Sequence, residues 1–98
     1  MAKRRKPYRF LNSAGPLIRK ARLRRRLTQV QLAARLQILG LVMDQATYSK
    51  IELQTRSLFD FELALIAKTL GVPAGDLLPG TENLKKILPS LYQGKIKK

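Results

Sequence analysis

The strongest constraint on this chain is a set of helix start and stop signals that leaves no room for strands. In the stretch LTQVQL, Thr28 followed by Gln31 fits a capping box, and Leu27 with Leu32 fits a hydrophobic staple. A helix is therefore predicted to start at Thr28 and to stop at Gly40, which suits a left-handed position. Its apolar positions recur with helical spacing at Leu32, Ala33, Leu36 and Leu39.

Similar signals predict four further helices, and the chain is predicted to be all-α. The first helix spans about Pro16 to Arg26, and the third spans about Gln45 to Leu53, with Asp44 as its cap and Met43 and Tyr48 as a second staple. The fourth helix is capped by Asp60 or Ser57 and ends at Gly71. A short fifth helix lies in VPAGDLL, where Leu77 and Leu78 close the core. The last stretch can start a helix at Thr81, which Pro89 and Gly94 should limit.

Composition narrows the function classes. The chain of 98 residues has neither Cys nor His, so disulfides and the usual zinc ligands are absent and no metal or cofactor is expected. Six scattered acids offer no nucleophile and base pair, which makes an enzyme the least favoured class. No secretory signal and no apolar run long enough to span a membrane is found, so a cytoplasmic protein is expected.

Charge points towards nucleic acid. The net charge is +14, yet residues 1–26 contain no acid and all six acids lie between residues 27 and 83. Cations concentrated at both ends favour a phosphate-binding surface, because neutralising phosphates releases counterions. The alternatives are solvated tails or tails on a membrane surface. We divide the chain into a flexible basic arm (1–14), a folded domain (15–79) and a short basic tail (80–98), which is at most partly helical.

Three stretches taken together resemble a known family. LTQVQLAARL, DQATYSKIE and LALIAKTLGVPAGDLL, in that order, are similar to the helix-turn-helix domain of the xenobiotic-response-element (XRE) family, the lambda-repressor-like DNA-binding fold. The resemblance implies five helices, with the second and third forming the DNA-binding unit. Gly40 follows Ala33 later than in the common pattern, and FDFEL echoes a TDYEL-like phrase. Both indicate a variant of the family with a lengthened second helix.

The resemblance implies the DNA contacts. The third helix, about 45–53, would enter the major groove, with Gln45 suited to adenine and Lys50 to guanine, although Lys50 touching only phosphate stays open. Base contacts are expected from Gln45, Ala46, Thr47, Ser49 and Lys50. Phosphate contacts are expected from Gln29 at the start of the second helix, from Thr55, Arg56 and Ser57 after the third, and from Arg4, Arg5 and Arg9 of the arm. Gln29 and the arm can also be simply solvated.

One pair is expected to be structural. The family alignment implies that Glu52 pairs with Arg22, tying the recognition helix to the first helix. Tyr48 stands where the family usually has an aliphatic core residue, so a buried ring would need a partner for its hydroxyl.

We therefore expect a sequence-specific DNA-binding transcriptional regulator, bacterial or phage-encoded, acting as a homodimer on a palindromic operator in double-stranded DNA. Four apolar tail residues either form the dimer seam or pack on the chain's own core: Leu84, Ile87, Leu88 and Leu91. Two alternatives stay open. One is an antitoxin-like DNA-binding protein whose tail holds a partner protein, and the other is a basic protein that coats nucleic acid without sequence preference.

Overall fold

The predicted helices form in a computed structural model of the chain, which describes residues 8–92. Within this range the fold is all-helical, as predicted, and an isolated antiparallel bridge between Tyr8 and Tyr92 is the only extended pairing. The elements are α1 (Gly15–Arg24), α2 (Gln29–Ile38), α3 (Gln45–Glu52), α4 (Asp60–Leu70), a 3-10 helix (Ala74–Leu77) and α5 (Thr81–Leu91). No helix among the described residues is both long and apolar enough to cross a membrane.

Side-chain caps fix the two helices of the helix-turn-helix unit. The Thr28 hydroxyl accepts from the Gln31 N–H at 3.0 Å, and the Gln31 side chain accepts from the Thr28 N–H at 2.9 Å. Asp44 accepts from the Thr47 N–H at 2.8 Å. Between these caps Gly40 has φ +96°, a left-handed value that glycine adopts without strain. The capping box, the Gly40 stop and the Asp44 cap are confirmed.

Two other helix ends differ from the prediction. α1 stops at Arg24 rather than Arg26, because Arg26 takes a left-handed φ of 58° and the Leu27 N–H returns to the Arg22 carbonyl. Neither Asp60 nor Ser57 caps α4. Phe59 is the residue at the cap position, and its N–H donates to the Glu62 carboxylate at 3.0 Å. The Glu62 side chain, which belongs to the helix itself, thus takes the place of the predicted cap.

The core lies between α1, α2, α3, α4 and the 3-10 helix. Leu39 and Leu78, which the sequence placed on an apolar helix face and in the core, are instead 40% and 47% exposed, and Leu23 of α1 is 48% exposed. Leu23 directly follows Arg22, whose face of α1 is buried, and neighbouring helical residues point about 100° apart. The fully buried large side chains are Ile18, Leu32, Leu36, Tyr48, Ile51, Ile66, Leu70 and Leu77.

The chain segments flanking the domain meet each other. Backbone N–H groups of Arg9 and Phe10 donate to the carbonyl of Leu91, and the rings of Tyr8 and Tyr92 stack with centroids 5.2 Å apart. Residues 8–14 of the expected flexible arm are therefore packed on the fold, because backbone donors and aromatic rings find partners there. Residues 1–7 lie outside the described residues.

The tail is partly helical, and its helix starts at Thr81, as the sequence allows. α5 runs from Thr81 to Leu91 with Pro89 inside it, so Pro89 does not end the helix. Proline removes the backbone hydrogen bond to the carbonyl four residues earlier, and α5 ends two residues after it, at Leu91. Gly94 lies outside the described residues. Ile87 and Leu91 line a groove together with Phe10 and Leu17, which places part of the apolar side of α5 on the chain's own body.

Candidate nucleic-acid interface

Helix α3 has one buried and one exposed face. Tyr48 and Ile51 are fully buried, whereas Gln45, Ala46 and Lys50 are exposed. Thr47 and Ser49 are half-buried at the edges of the exposed face. The residues expected to contact bases thus share the solvent side of one short helix, with an amide and an ammonium group at its two ends.

The position of α3 depends on close packing against its neighbours. α2 and α3 contact each other, and Ala33 of α2 is buried together with Met43 of the turn. On the other side, a Cβ atom added to Gly15 of α1 would lie 2.4 Å from the Ile51 carbonyl oxygen. A side chain at position 15 would therefore push α1 away from α3. Sequence reasoning missed this role of Gly15, since a glycine next to a proline carries no signal of a contact distant in sequence.

A buried ion pair connects α1 and α3. The Arg22 guanidinium donates through Nε and Nη2 to the Glu52 carboxylate at 2.6 and 3.0 Å, and through Nη1 to the Leu27 carbonyl at 2.7 Å. The two side chains are only 8% and 3% exposed. The Tyr48 hydroxyl, whose need for a partner follows from its burial, donates to Glu52 at 2.5 Å. The recognition helix is thereby attached to the first helix through a saturated carboxylate.

Two glutamines extend this network to the surface. Gln29 donates through Nε2 to Glu52 Oε1 at 2.9 Å, and Gln45 donates through its Nε2 to Gln29 Oε1 at 2.7 Å. Gln29 was expected to meet a phosphate, but its side chain lies between Glu52 and Gln45. An unbroken chain of hydrogen bonds therefore runs from the core to the first exposed residue of α3.

Ionisation of the network follows from these contacts. Burial by itself would raise the pKa of Glu52, but donors on Arg22, Tyr48 and Gln29 outweigh burial and hold that pKa below its usual value. Hydrogen bonding to Glu52 raises the pKa of Arg22. Burial, followed by the hydrogen bond to Glu52, raises the pKa of Tyr48. At neutral pH the network consists of a carboxylate, a guanidinium and a neutral phenol.

The loop after α3 is organised by a second ion pair. Arg56 donates to both oxygens of Glu62 at 3.0 Å each. Its guanidinium is therefore already engaged, while its neighbours Thr55 and Ser57 are exposed. The Thr55 hydroxyl donates to the Lys50 carbonyl over a long distance of 3.4 Å. A polar depression is lined by Leu11, Thr47, Lys50, Thr55, Arg56 and Ser57, so the loop candidates lie next to the exposed face of α3.

Asn12 also organises this loop and was not singled out from the sequence. Its Nδ2 donates to the carbonyls of Ile51 and Arg56 at 3.0 and 2.9 Å, and its Oδ1 accepts from the Gly15 N–H at 2.7 Å. Asparagine before a helix gives a local turn signal, but its link to residues some 40 positions away is visible only in the fold. Asn12 therefore connects the last turn of α3 to the loop that follows it.

The arm candidates are divided between described and undescribed residues. Arg9 is exposed, and its guanidinium carbon lies 5.4 Å from the centroid of the Phe10 ring. Arg4 and Arg5 lie outside the described residues. Among the described residues, no group of three or more acidic side chains is placed to hold a metal ion.

Comparison with known families agrees with this architecture. A family model described as Helix-turn-helix matches residues 18–77, which is more than half of the chain. The chain belongs to this family, the XRE or lambda-repressor-like helix-turn-helix proteins, as its sequence indicates. The family consists of DNA-binding regulators and is generally not enzymatic. No curated protein and no solved structure gives a significant match.

Proposed function

We propose that the protein is a sequence-specific transcriptional regulator that binds double-stranded DNA with α3 in the major groove. The observation that carries this proposal is the exposed face of α3, which presents Gln45, Ala46 and Lys50 while its opposite face is fixed by the Arg22–Glu52 pair. A helix of 8 residues fits the major groove and exposes few side chains. Each of these exposed side chains must therefore be held at a defined angle to the bases.

Base reading would come from both ends of this face. Gln45 has an acceptor and a donor suited to adenine, and Lys50 has donors suited to guanine. Ala46 and the methyl group of Thr47 can contact a thymine methyl group, while Ser49 can bond to several bases. The half-burial of Thr47 and Ser49 restricts them to the edges of the contact.

Phosphates would be held around this face. The start of α2, next to Gln29, would attract a phosphate, because helix N-termini favour anions. Thr55 and Ser57 are exposed after α3. Arg56 would add charge without leaving Glu62, and the arm through Arg9, Arg5 and Arg4 would add contacts that carry no base preference.

We further propose a homodimer on a palindromic operator, because a single short helix reads few base pairs and two half-sites multiply the affinity. On α5, Leu88 is 40% exposed, whereas Leu84, Ile87 and Leu91 are half-buried. A second apolar surface is formed by the stacked rings of Phe59 and Phe61, which are 53% and 57% exposed. Replacing Leu88 or Phe61 by Ser and measuring the mass in solution would show which of them lies at the seam.

The test is selection of duplexes from a random pool by the wild-type protein and by the Gln45→Ala and Lys50→Ala variants. We expect each variant to lose discrimination at one base pair per half-site, by about 5- to 150-fold per contact, which corresponds to ~1 to 3 kcal/mol. Gln37→Ala, an exposed glutamine at the other end of α2, is the matched control and should select the wild-type site.

Two results would contradict the proposal. Unchanged base preferences in both α3 variants would exclude α3 as the reading element. Affinities for random and selected duplexes within a few-fold of each other, across a salt titration, would instead indicate a protein that coats nucleic acid through charge alone.

A further inference from the structure

We infer that the charge of the buried Glu52 determines which base Gln45 reads, through the amide of Gln29. This inference rests on the proposed function, since it assumes that Gln45 contacts a base. It makes Glu52, Gln29 and Tyr48 positioning residues for base specificity, in addition to any role in stability. The observation behind it is the direction of donation in this chain of hydrogen bonds, which runs from Gln45 to Gln29 and from Gln29 to Glu52.

The direction starts at Glu52 because an ionised carboxylate can only accept hydrogen bonds. Oε2 accepts from Arg22 Nε and from the Tyr48 hydroxyl, and Oε1 accepts from Arg22 Nη2 and from Gln29 Nε2. Gln29 therefore has to turn its NH2 group towards Glu52. Buried groups with charged partners make the stronger hydrogen bonds, so this choice dominates the orientation of the Gln29 amide.

The orientation passes on to Gln45. With its NH2 group on Glu52, Gln29 presents Oε1 outward, and Gln45 donates to it from Nε2 at 2.7 Å. We assign this hydrogen bond to the N–H on the side away from the Gln45 oxygen, because that N–H leaves the oxygen clear of Gln29. Gln45 is left with Oε1 and its second N–H side by side, which is the acceptor and donor pair that matches N6–H and N7 of adenine.

The reverse orientation would read a different base. If the Gln45 amide turned its oxygen to Gln29, it would present N–H donors outward, and guanine offers two acceptors, O6 and N7, at its major-groove edge. The two orientations of one side chain therefore favour different purines. Arg22 and Tyr48 keep Glu52 ionised and in place, and so maintain the orientation that favours adenine.

The experiment measures binding to four duplexes that differ only at the base pair assigned to Gln45 by the Gln45→Ala selection. The proteins are the wild type, Gln29→Ala, Glu52→Gln, Tyr48→Phe and the Gln37→Ala control. Gln29→Ala leaves the Arg22–Glu52–Tyr48 contacts intact, so we expect this variant to fold. Melting curves of each variant show whether it is folded at the temperature of the binding measurement.

We expect Gln29→Ala to reduce the preference for adenine from about 5- to 150-fold to less than about threefold, because Gln45 is then free to rotate. Glu52→Gln has an NH2 group that can replace either carboxylate oxygen, each of which accepts from Arg22, so neither orientation of the Gln29 amide is imposed any longer and the preference for adenine over guanine should fall. Tyr48→Phe should reduce the preference for adenine by a smaller factor, because Arg22 still holds Glu52. Gln37→Ala should keep the wild-type preference.

The inference and the proposed function fail differently. If Gln45→Ala changes no base preference, α3 does not read DNA through Gln45 and the proposed role is wrong. If Gln45→Ala abolishes the preference but Gln29→Ala only weakens binding equally to all four duplexes, Gln29 is a phosphate contact and the inference is overturned. An unchanged preference for adenine in folded Glu52→Gln overturns it as well.

Discussion

Two Arg–Glu pairs fix the recognition helix and the loop that follows it, and they differ in what surrounds them. Arg22–Glu52 lies between α1 and α3 with side chains 8% and 3% exposed, while Arg56–Glu62 links the loop after α3 to α4 with side chains 27% and 5% exposed. Glu52 also accepts from a tyrosine and a glutamine. Glu62 also accepts from the backbone N–H of Phe59.

The difference lies in how each pair responds when it is broken. Arg22 is enclosed, so without Glu52 its charge would remain buried and uncompensated. Arg56 is close enough to solvent for its guanidinium to turn outward and be hydrated. The same pair of residue types therefore forms a fixed connection between α1 and α3 at the buried site, and a contact that can rearrange at the partly exposed site. We expect the buried pair to determine stability and the partly exposed pair to tolerate DNA phosphates.

The largest effect is expected for Glu52→Ala, because it leaves the buried Arg22 charge uncompensated and the Tyr48 hydroxyl without its acceptor. We expect a loss of about 3 to 5 kcal/mol in the free energy of unfolding. Urea unfolding followed by circular dichroism measures it. Glu82→Ala is the control, since Glu82 makes only an exposed contact to Lys85 at 3.8 Å. Equal melting temperatures for the two variants would contradict the role assigned to the buried pair.

The sequence predicted the elements defined by local chemistry. Thr28, Gln31, Gly40 and Asp44 act within a few residues of their own position, so their caps and turn can be recognised without a fold. The family resemblance supplied the partnership of Arg22 with Glu52, which spans 30 positions. Without such a pattern, side chains give little indication of contacts distant in sequence.

The features that the sequence did not predict depend on contacts distant in sequence, or on which side of a helix faces the core. Asn12 and Gly15 act on α3 and its loop, far along the chain. Leu23, Leu39 and Leu78 are apolar but exposed, because hydrophobicity does not reveal which neighbours reach a given face. The link from Gln29 to Glu52 required the relative angle of two helices, which the sequence pattern does not contain.

A smaller effect is expected for Glu62→Ala at the exposed pair. The variant loses two bonds to Arg56 and the bond that closes the start of α4. Because Arg56 can turn to solvent, we expect a loss of about 1 to 3 kcal/mol, below that of Glu52→Ala. Asp60→Ala removes an exposed acid from the same turn and should cost less than half as much. Urea unfolding of the two variants measures the difference, and an equal loss would assign the effect to helix charge instead of the ion pair.

The smallest effect on stability is expected on mild acidification of the wild-type protein, in which both ion pairs are present. The pKa of Glu52 and that of Glu62 both lie below the ordinary value of 4.5, since their hydrogen bonds outweigh burial. A lowered pKa contributes stability that is complete above the unfolded value and is lost as pH falls through the folded value. Stability should therefore be nearly constant above about pH 5 and fall below it.

Replacing each acid by its neutral amide separates the two contributions to this fall. In Glu62→Gln the fall should persist but be shallower, because Glu52 still titrates. In Glu52→Gln the fall should be reduced further, because the carboxylate with more donors loses more on protonation. Urea midpoints measured from pH 7 to pH 3 test this order. A fall as steep in both variants as in the wild type would mean that other carboxylates, such as the Asp44 cap, control the response to acid.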